Sequence, residues 1–145
     1  MKLSAHFWLE EFTISSKALS MGVKNDPTPQ HLENLKHLAE QMETVRALFD
    51  KQVEITSAYR NPQVSAAVGG VPTSAHALGY AADFHVDGMN DLEVAKCVRD
   101  SGLKFDQLIY EKGRCVHISF DPRLRRQVLR QPGSAGSRVY SGLEP

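Results

Sequence analysis

Leu32, Leu35, Leu38, Met42, Val45 and Phe49 recur at spacings of three and four without interruption, and an α-helix puts such positions on one face. Thr28 is suited to cap that helix and Pro29 to fill its first position. The spacing predicts a helix of about 20 residues with one buried stripe. A stripe of that length needs an apolar surface to cover it, and the segments that follow supply one. Val53 to Tyr59 and Ala81 to Val86 read as strands, and Phe105–Glu111 and Arg114–Phe120 as a hairpin closed tightly at Lys112-Gly113. Between them, Asn61 and Pro62 open a small helix that Gly69-Gly70 stops, and Asn90 or Asp91 caps a helix over 92–100. Residues 71–79 have no period and read as a loop. Upstream, residues 5–12 form a short helix or structured arm anchored by Phe7, Trp8 and Phe12. The order predicts an α+β domain, a small antiparallel or mixed sheet with helices packed against it.

A length of 145 residues fits one domain. After Pro122 the pattern decays. Residues 122–145 hold five arginines and one glutamate, Arg123 to Arg130 could extend as a basic helix, and Gly133 to Gly142 reads as flexible or draped over the surface. Net charge is zero, so nothing global favours a nucleic-acid partner. Cys97 and Cys115 are too few for a disulfide scaffold and read as buried free thiols. His6, Glu10 and Glu11 interrupt any secretory apolar core at the N-terminus. No run approaches the roughly 20 apolar residues of a membrane span. A soluble monomer without stable membrane insertion is expected.

Three residues stand apart from this ordinary frame. His31 and His37 lie on the polar side of the long helix and His6 in the arm, where surface roles suffice. His76 lies instead in a loop of small residues just before the strand that carries Asp83, and such loops are where sites concentrate. On that strand Ala81, Asp83 and His85 share one face while Phe84 and Val86 enter the core from the other. His117 sits in the apolar strand Cys115-Val116-His117-Ile118-Ser119-Phe120. Each has a bland reading as a hydrogen-bonded structural residue. Together, two imidazoles and one carboxylate on separate elements, with a fourth position open, are what catalytic zinc needs. Arg60, at a strand end before a turn, is placed to hold a carboxylate or a developing oxyanion.

Ser74-x-His76-x-x-Gly79-x-Ala81-x-Asp83, followed by Val116-His117-Ile118-Ser119, resembles the M15 zinc peptidases. These include D-alanyl-D-alanine carboxypeptidases, D,D-dipeptidases and phage peptidoglycan endopeptidases. Ile55-Thr56-Ser57-Ala58-Tyr59-Arg60 and Val68-Gly69-Gly70 extend the likeness, which runs from Phe7–Phe12 to about Pro122 and is close to the small phage and prophage branch.

The resemblance implies a fold like that of hedgehog domains and D-Ala-D-Ala peptidases, with residues 1–122 as the zinc peptidase domain and 123–145 as a basic, partly flexible tail. It implies His76, Asp83 and His117 as zinc ligands and Arg60 as the residue that positions substrate or stabilises the oxyanion. Members commonly carry an acidic residue or histidine two or three positions before the last ligand. Here those positions hold Cys115 and Arg114. Glu111, across the hairpin turn, is the expected general base, ahead of Asp106 and His85. Cys115 has no evident base to make it a nucleophile. Ser74 and Ser119 are expected to orient ligands, and Gln107 to line the cleft.

The implied partners are stem or cross-bridge peptides of peptidoglycan, cut by an endolysin-like endopeptidase. Such an enzyme is expected to stay in the cytoplasm of the producing cell until released to the wall, or to travel in a virion. A D,D-carboxypeptidase or dipeptidase that releases terminal D-alanine is one alternative. A non-catalytic phage structural or wall-binding module is another.

Overall fold

A computed structural model describes residues 1–144. In chain order its elements are α1 (Leu9–Thr13), α2 (Ser16–Met21), α3 (Pro29–Phe49), β1 (Val53–Ser57), α4 (Pro62–Ala67), α5 (Ala75–Leu78) and β2 (Ala81–Val86). They continue with α6 (Asp91–Asp100), β3 (Gln107–Glu111), β4 (Cys115–Ser119), β5 (Gln127–Gln131) and β6 (Tyr140–Ser141). Helix α3 begins where its sequence signals lie: Thr28 Oγ1 accepts a hydrogen bond from the His31 amide at 3.1 Å, and Pro29 is the first helical residue. Leu35, Leu38, Met42 and Val45 are fully buried, while Leu32 and Phe49 at the two ends of the stripe are only partly covered.

The strands form one mixed sheet in the order β1-β2-β4-β3-β5-β6. All pairs are antiparallel except β3 with β5. Strand alternation sorts the side chains. Ala82, Phe84 and Val86 of β2, Val116 and Ile118 of β4 and Leu108 of β3 join the α3 stripe in one core, with Val94, Ala95 and Val98 of α6. The opposite face carries Asp83, His117 and Glu111, and the register sets Asp83 opposite His117. Pairing by one residue more or less would turn Phe84 and Val116 out of the core. The apolar face therefore holds the polar face in register.

Several segments differ from the sequence expectation. Trp8 caps α1 and is half exposed, so Phe7 and Phe12, 5.9 Å apart between ring centres, anchor the arm without it. Helix α2 was not expected because its only buried residue is Ala18, too little to make a period. One helical turn, α5, occupies the end of the expected loop 71–79. The hairpin turn spans Lys112–Arg114, with Glu111 paired to Cys115, so Arg114 lies outside the strand. Cys97 is exposed; Cys115 is the buried thiol.

The basic segment 123–130 is not a helix. Leu124 and Arg126 have φ values of +43° and +55°, a left-handed backbone that interrupts an α-helix, and residues 127–131 instead extend the sheet as β5. Arg125 is drawn to Asp106, whose carboxylate accepts bonds from the Arg125 amide, Nε and Nη2 at 2.8–3.0 Å. Arg126 lies over the Phe105 ring and donates to the carbonyls of Leu103, Arg99 and Ser101. Further on, Gly142 donates to the Val128 carbonyl and Leu143 enters the core at 4% exposure. No described helix is long and apolar enough to cross a membrane.

Arg125 holds the buried Asp106 carboxyl below its ordinary value through hydrogen bonds that outweigh the upward push of burial. A carboxyl depressed in the folded state stabilises above its unfolded pKa and loses that contribution as pH falls through the folded value. Asp106→Asn is therefore expected to destabilise by about 1–3 kcal/mol at neutral pH. In urea denaturation the gap to wild type closes as pH drops below the ordinary aspartate range; a gap that persists unchanged at acid pH would contradict this assignment.

Candidate metal centre

His76 is delivered by the single turn of α5, which is held from three directions. Ser74 Oγ accepts from the Ala77 amide at 3.1 Å and starts the turn. Gly79 ends it at φ +84°, where an added Cβ would meet the His31 carbonyl at 3.1 Å and Asn34 Cβ at 3.3 Å. Asn34 Nδ2 donates to the Leu78 carbonyl at 2.7 Å and ties the turn to α3. The imidazole is oriented as well: His76 Nδ1–H donates to the Ala58 carbonyl at 2.6 Å. A carbonyl only accepts, so this bond fixes the tautomer and leaves Nε2 with a free lone pair. His76 Nε2 stands 3.3 Å from Asp83 Oδ1.

Asp83 and His117 meet across neighbouring strands. His117 Nδ1 lies 3.0 Å from the same Asp83 oxygen. The two imidazole centroids are 5.0 Å apart with their planes at 70°. All three residues are more than nine-tenths buried. Burial would raise the Asp83 carboxyl, yet the two histidines outweigh it and hold it far below its ordinary range. Burial would lower His117, yet the hydrogen bond and charge of Asp83 raise it. The two shifts are two sides of one buried pairing, in which the Asp83 carboxylate and the facing imidazole stabilise each other's charge.

One ligand atom from each of His76, Asp83 and His117 lies within 4.8 Å of the others. Two imidazole nitrogens, one of them on a ring oriented by a carbonyl, and one carboxylate oxygen fit zinc with an open position, and an outer partner such as Ala58 is the usual companion of a ligating histidine. A second cluster, Asp83 with Glu111 and Cys115, shares the aspartate. Burial and the two carboxylates push the Cys115 thiol well above its ordinary pKa. That opposes the thiolate that both metal ligation and nucleophilic attack require.

The three residues form the floor of a cleft of about 390 Å³. Arg60 enters it with Nη2 3.9 Å from Asp83 Oδ2. Glu111 enters from β3 with Oε2 4.0 Å from His117 Nδ1. Its pKa is raised, chiefly by burial and then by Asp83. Val68, Gly69 and Gly70 line one side, and Ala135, Gly136 and Val139 also line the cleft.

The remaining expected site residues lie elsewhere among the described residues. Ser74 acts on the α5 backbone. Ser119 Oγ accepts from the Gln107 amide, and the Gln107 side chain donates to Gln127. Asp106 is held by Arg125, and His85 Nδ1 is 2.8 Å from Asp91 Oδ1. None of these five lines the cleft. Residues 135–139 were missed because a Ser/Gly-rich stretch carries no period from which to place it.

A buried His–Asp–His set at the floor of an open cleft is the metal centre of a zinc hydrolase. The family model for Peptidase M15 matches residues 5–119, and the chain belongs to that family, which with this centre defines a zinc metallopeptidase. No curated protein matches the chain.

Zinc that binds only the folded state stabilises it by mass action. Free zinc at 100 times its dissociation constant is expected to stabilise the protein by about 2.7 kcal/mol, and chelation to reverse this. His117→Ala and His76→Ala should lose stoichiometric zinc and most of that increment. Equal zinc content in wild type and both variants, read by atomic absorption after dialysis, would remove these histidines from the ligand set.

Proposed function

We propose that the protein is an endopeptidase that hydrolyses an amide bond within the stem or cross-bridge peptides of peptidoglycan, with Glu111 as general base and Arg60 as the oxyanion partner. The observation that carries this reading is the position of positive charge. Among the described residues that line the cleft, Arg60 is the single Arg or Lys, and it stands beside Asp83 at the metal centre. An enzyme that selects a free terminal carboxylate needs a cation further along the cleft, where the peptide ends. A chain passing through the cleft needs its cation where the carbonyl oxygen gains charge.

His76, Asp83 and His117 would hold the zinc, which when bound acidifies water toward a pKa of about 7 and polarises a carbonyl. Glu111 takes a proton from the attacking water and returns it to the leaving amine nitrogen. Burial and the neighbouring Asp83 carboxylate raise its pKa, which suits a base that must both accept and release a proton. Arg60 donates hydrogen bonds to the scissile oxygen as negative charge develops on it. The Val68-Gly69-Gly70 segment keeps one side of the cleft free of large side chains, so an extended peptide can approach the floor. The same reading puts the chain in the small phage and prophage branch of the family, as a lytic enzyme that meets the wall after release.

Glu111→Gln is expected to lower kcat by about 10²–10⁴ and Arg60→Ala by about 10²–10³, both with zinc stoichiometry kept near one. Wild-type turnover by Glu111→Gln would end its assignment as base. On purified muropeptides, wild-type enzyme should consume cross-linked dimers or split stem peptides internally. Release of free D-alanine alone would replace the endopeptidase with a D,D-carboxypeptidase.

A further inference from the structure

The segment that contributes Ala135, Gly136 and Val139 to the cleft lies beyond residues 5–119, which the family model covers. It is tied both to itself and to the hairpin that carries Glu111. Ser137 donates to the Ser134 carbonyl through its amide at 3.0 Å and its Oγ at 2.5 Å, closing a tight turn. An added Cβ at Gly133 would meet Ser137 Oγ at 2.7 Å, so the turn packs closely on its own start. The buried Gln131 side chain donates Nε2 to the Ser137 carbonyl at 2.9 Å and accepts from Arg114 Nη2 through Oε1. Arg114 Nη1 donates to the Gly133 carbonyl at 2.6 Å, and its Nη2 lies 3.7 Å from Glu111 Oε1. One guanidinium thus binds the loop, its buried anchor and the carboxylate at the cleft floor.

Arg114 occupies a turn position, yet its Nε is buried without a partner. An orphaned donor is costly, and here the other two nitrogens are committed to the loop and to Gln131. Val139 is 40% exposed and Val68 46% exposed, and both line the cleft from separate segments. Apolar side chains left open in the lining of a reacting centre are surface available to a bound ligand.

We propose that the loop 132–139 is a specificity wall of the cleft, limiting the bulk of the group bound beside the metal, and that Arg114 is the positioning residue that fastens it. The proposal rests on zinc at the His76–Asp83–His117 floor but not on which peptide is cleaved. Two hydroxamates of different bulk, acetohydroxamate and benzohydroxamate, report on the wall through the visible spectrum of the cobalt-substituted protein.

Val139→Trp should lower the benzohydroxamate-to-acetohydroxamate affinity ratio at least tenfold, with one metal still bound. Arg114→Ala should raise that ratio and speed amide hydrogen exchange across 133–139, and Arg114→Lys should restore part of the protection. On synthetic stem peptides that differ only in the residue beside the scissile bond (Gly, Ala, Leu, Lys), Val139→Trp should raise KM for the bulky members more than for glycine. Unchanged affinity ratios in both variants would overturn the wall, and unchanged exchange in Arg114→Ala would overturn its fastening. If the hydroxamate ratios shift while wild-type protein cleaves none of the peptides, the wall stands and the peptidoglycan reading falls.

Discussion

The pairing of β2 with β4 is the constraint on which the centre depends. Asp83 and His117 are opposite each other because Phe84 and Val116, one position on, must both point into the core. The apolar pattern is strong enough to fix a register, and the two polar residues take the positions it leaves. Their proximity is then enforced by a core that gains nothing from the site itself. A carboxylate and two imidazoles buried together would be unfavourable without compensating charge or hydrogen bonds. The rigid sheet tolerates the group, and a cation offsets its charge.

The third ligand reaches the same point by a different route. A one-turn helix has no stability of its own, so α5 depends on its neighbours: the Ser74 cap, the close packing of Gly79 on α3 and the Asn34 bond to its C-terminal carbonyl. Helix α3 thus serves two ends. Its apolar stripe fills the core, and its flank at His31 and Asn34 seats the turn that presents His76. The Ala58 carbonyl, at the end of β1, completes the orientation by fixing the ring tautomer. Ligand geometry is distributed over α3, β1, β2 and β4, and a change in any of them is felt at the metal.

This division explains what could be read in the sequence. The α3 stripe, strands β1 to β4 and the His76, Asp83 and His117 set were legible because each is written as local periodicity or as a motif at fixed spacing. Helix α2, the α5 turn and strands β5 and β6 were not, because they are set by tertiary partners. Arg125 and Arg126 illustrate the point. As sequence they belong to a basic run that could be helical, whereas in the fold one answers Asp106 and the other stacks on Phe105 and bonds three carbonyls. Arg123 pairs with Asp121, and Arg130 and Arg138 lie over the Tyr140 ring. The five arginines that make the C-terminal segment look like a free polycation each have a partner within the chain.

The same reasoning bears on Arg114 and Cys115, the positions at which the family resemblance implies an acidic residue or histidine. Strand alternation gives Cys115 the face of His117 and Glu111, and a carboxylate there would be buried beside Asp83 and Glu111, which after burial itself contribute to pushing the Cys115 thiol upward. A third acid in that space would be repelled by both. A neutral thiol adds no charge, and Glu111, on the strand beside β4, lies within 4.0 Å of His117. Arg114, freed from the sheet by the three-residue turn, then places its positive charge beside Glu111 from outside the cleft. Within this hairpin the carboxylate that lines the cleft thus stands on β3, while the strand that carries His117 adds no further acid on that face.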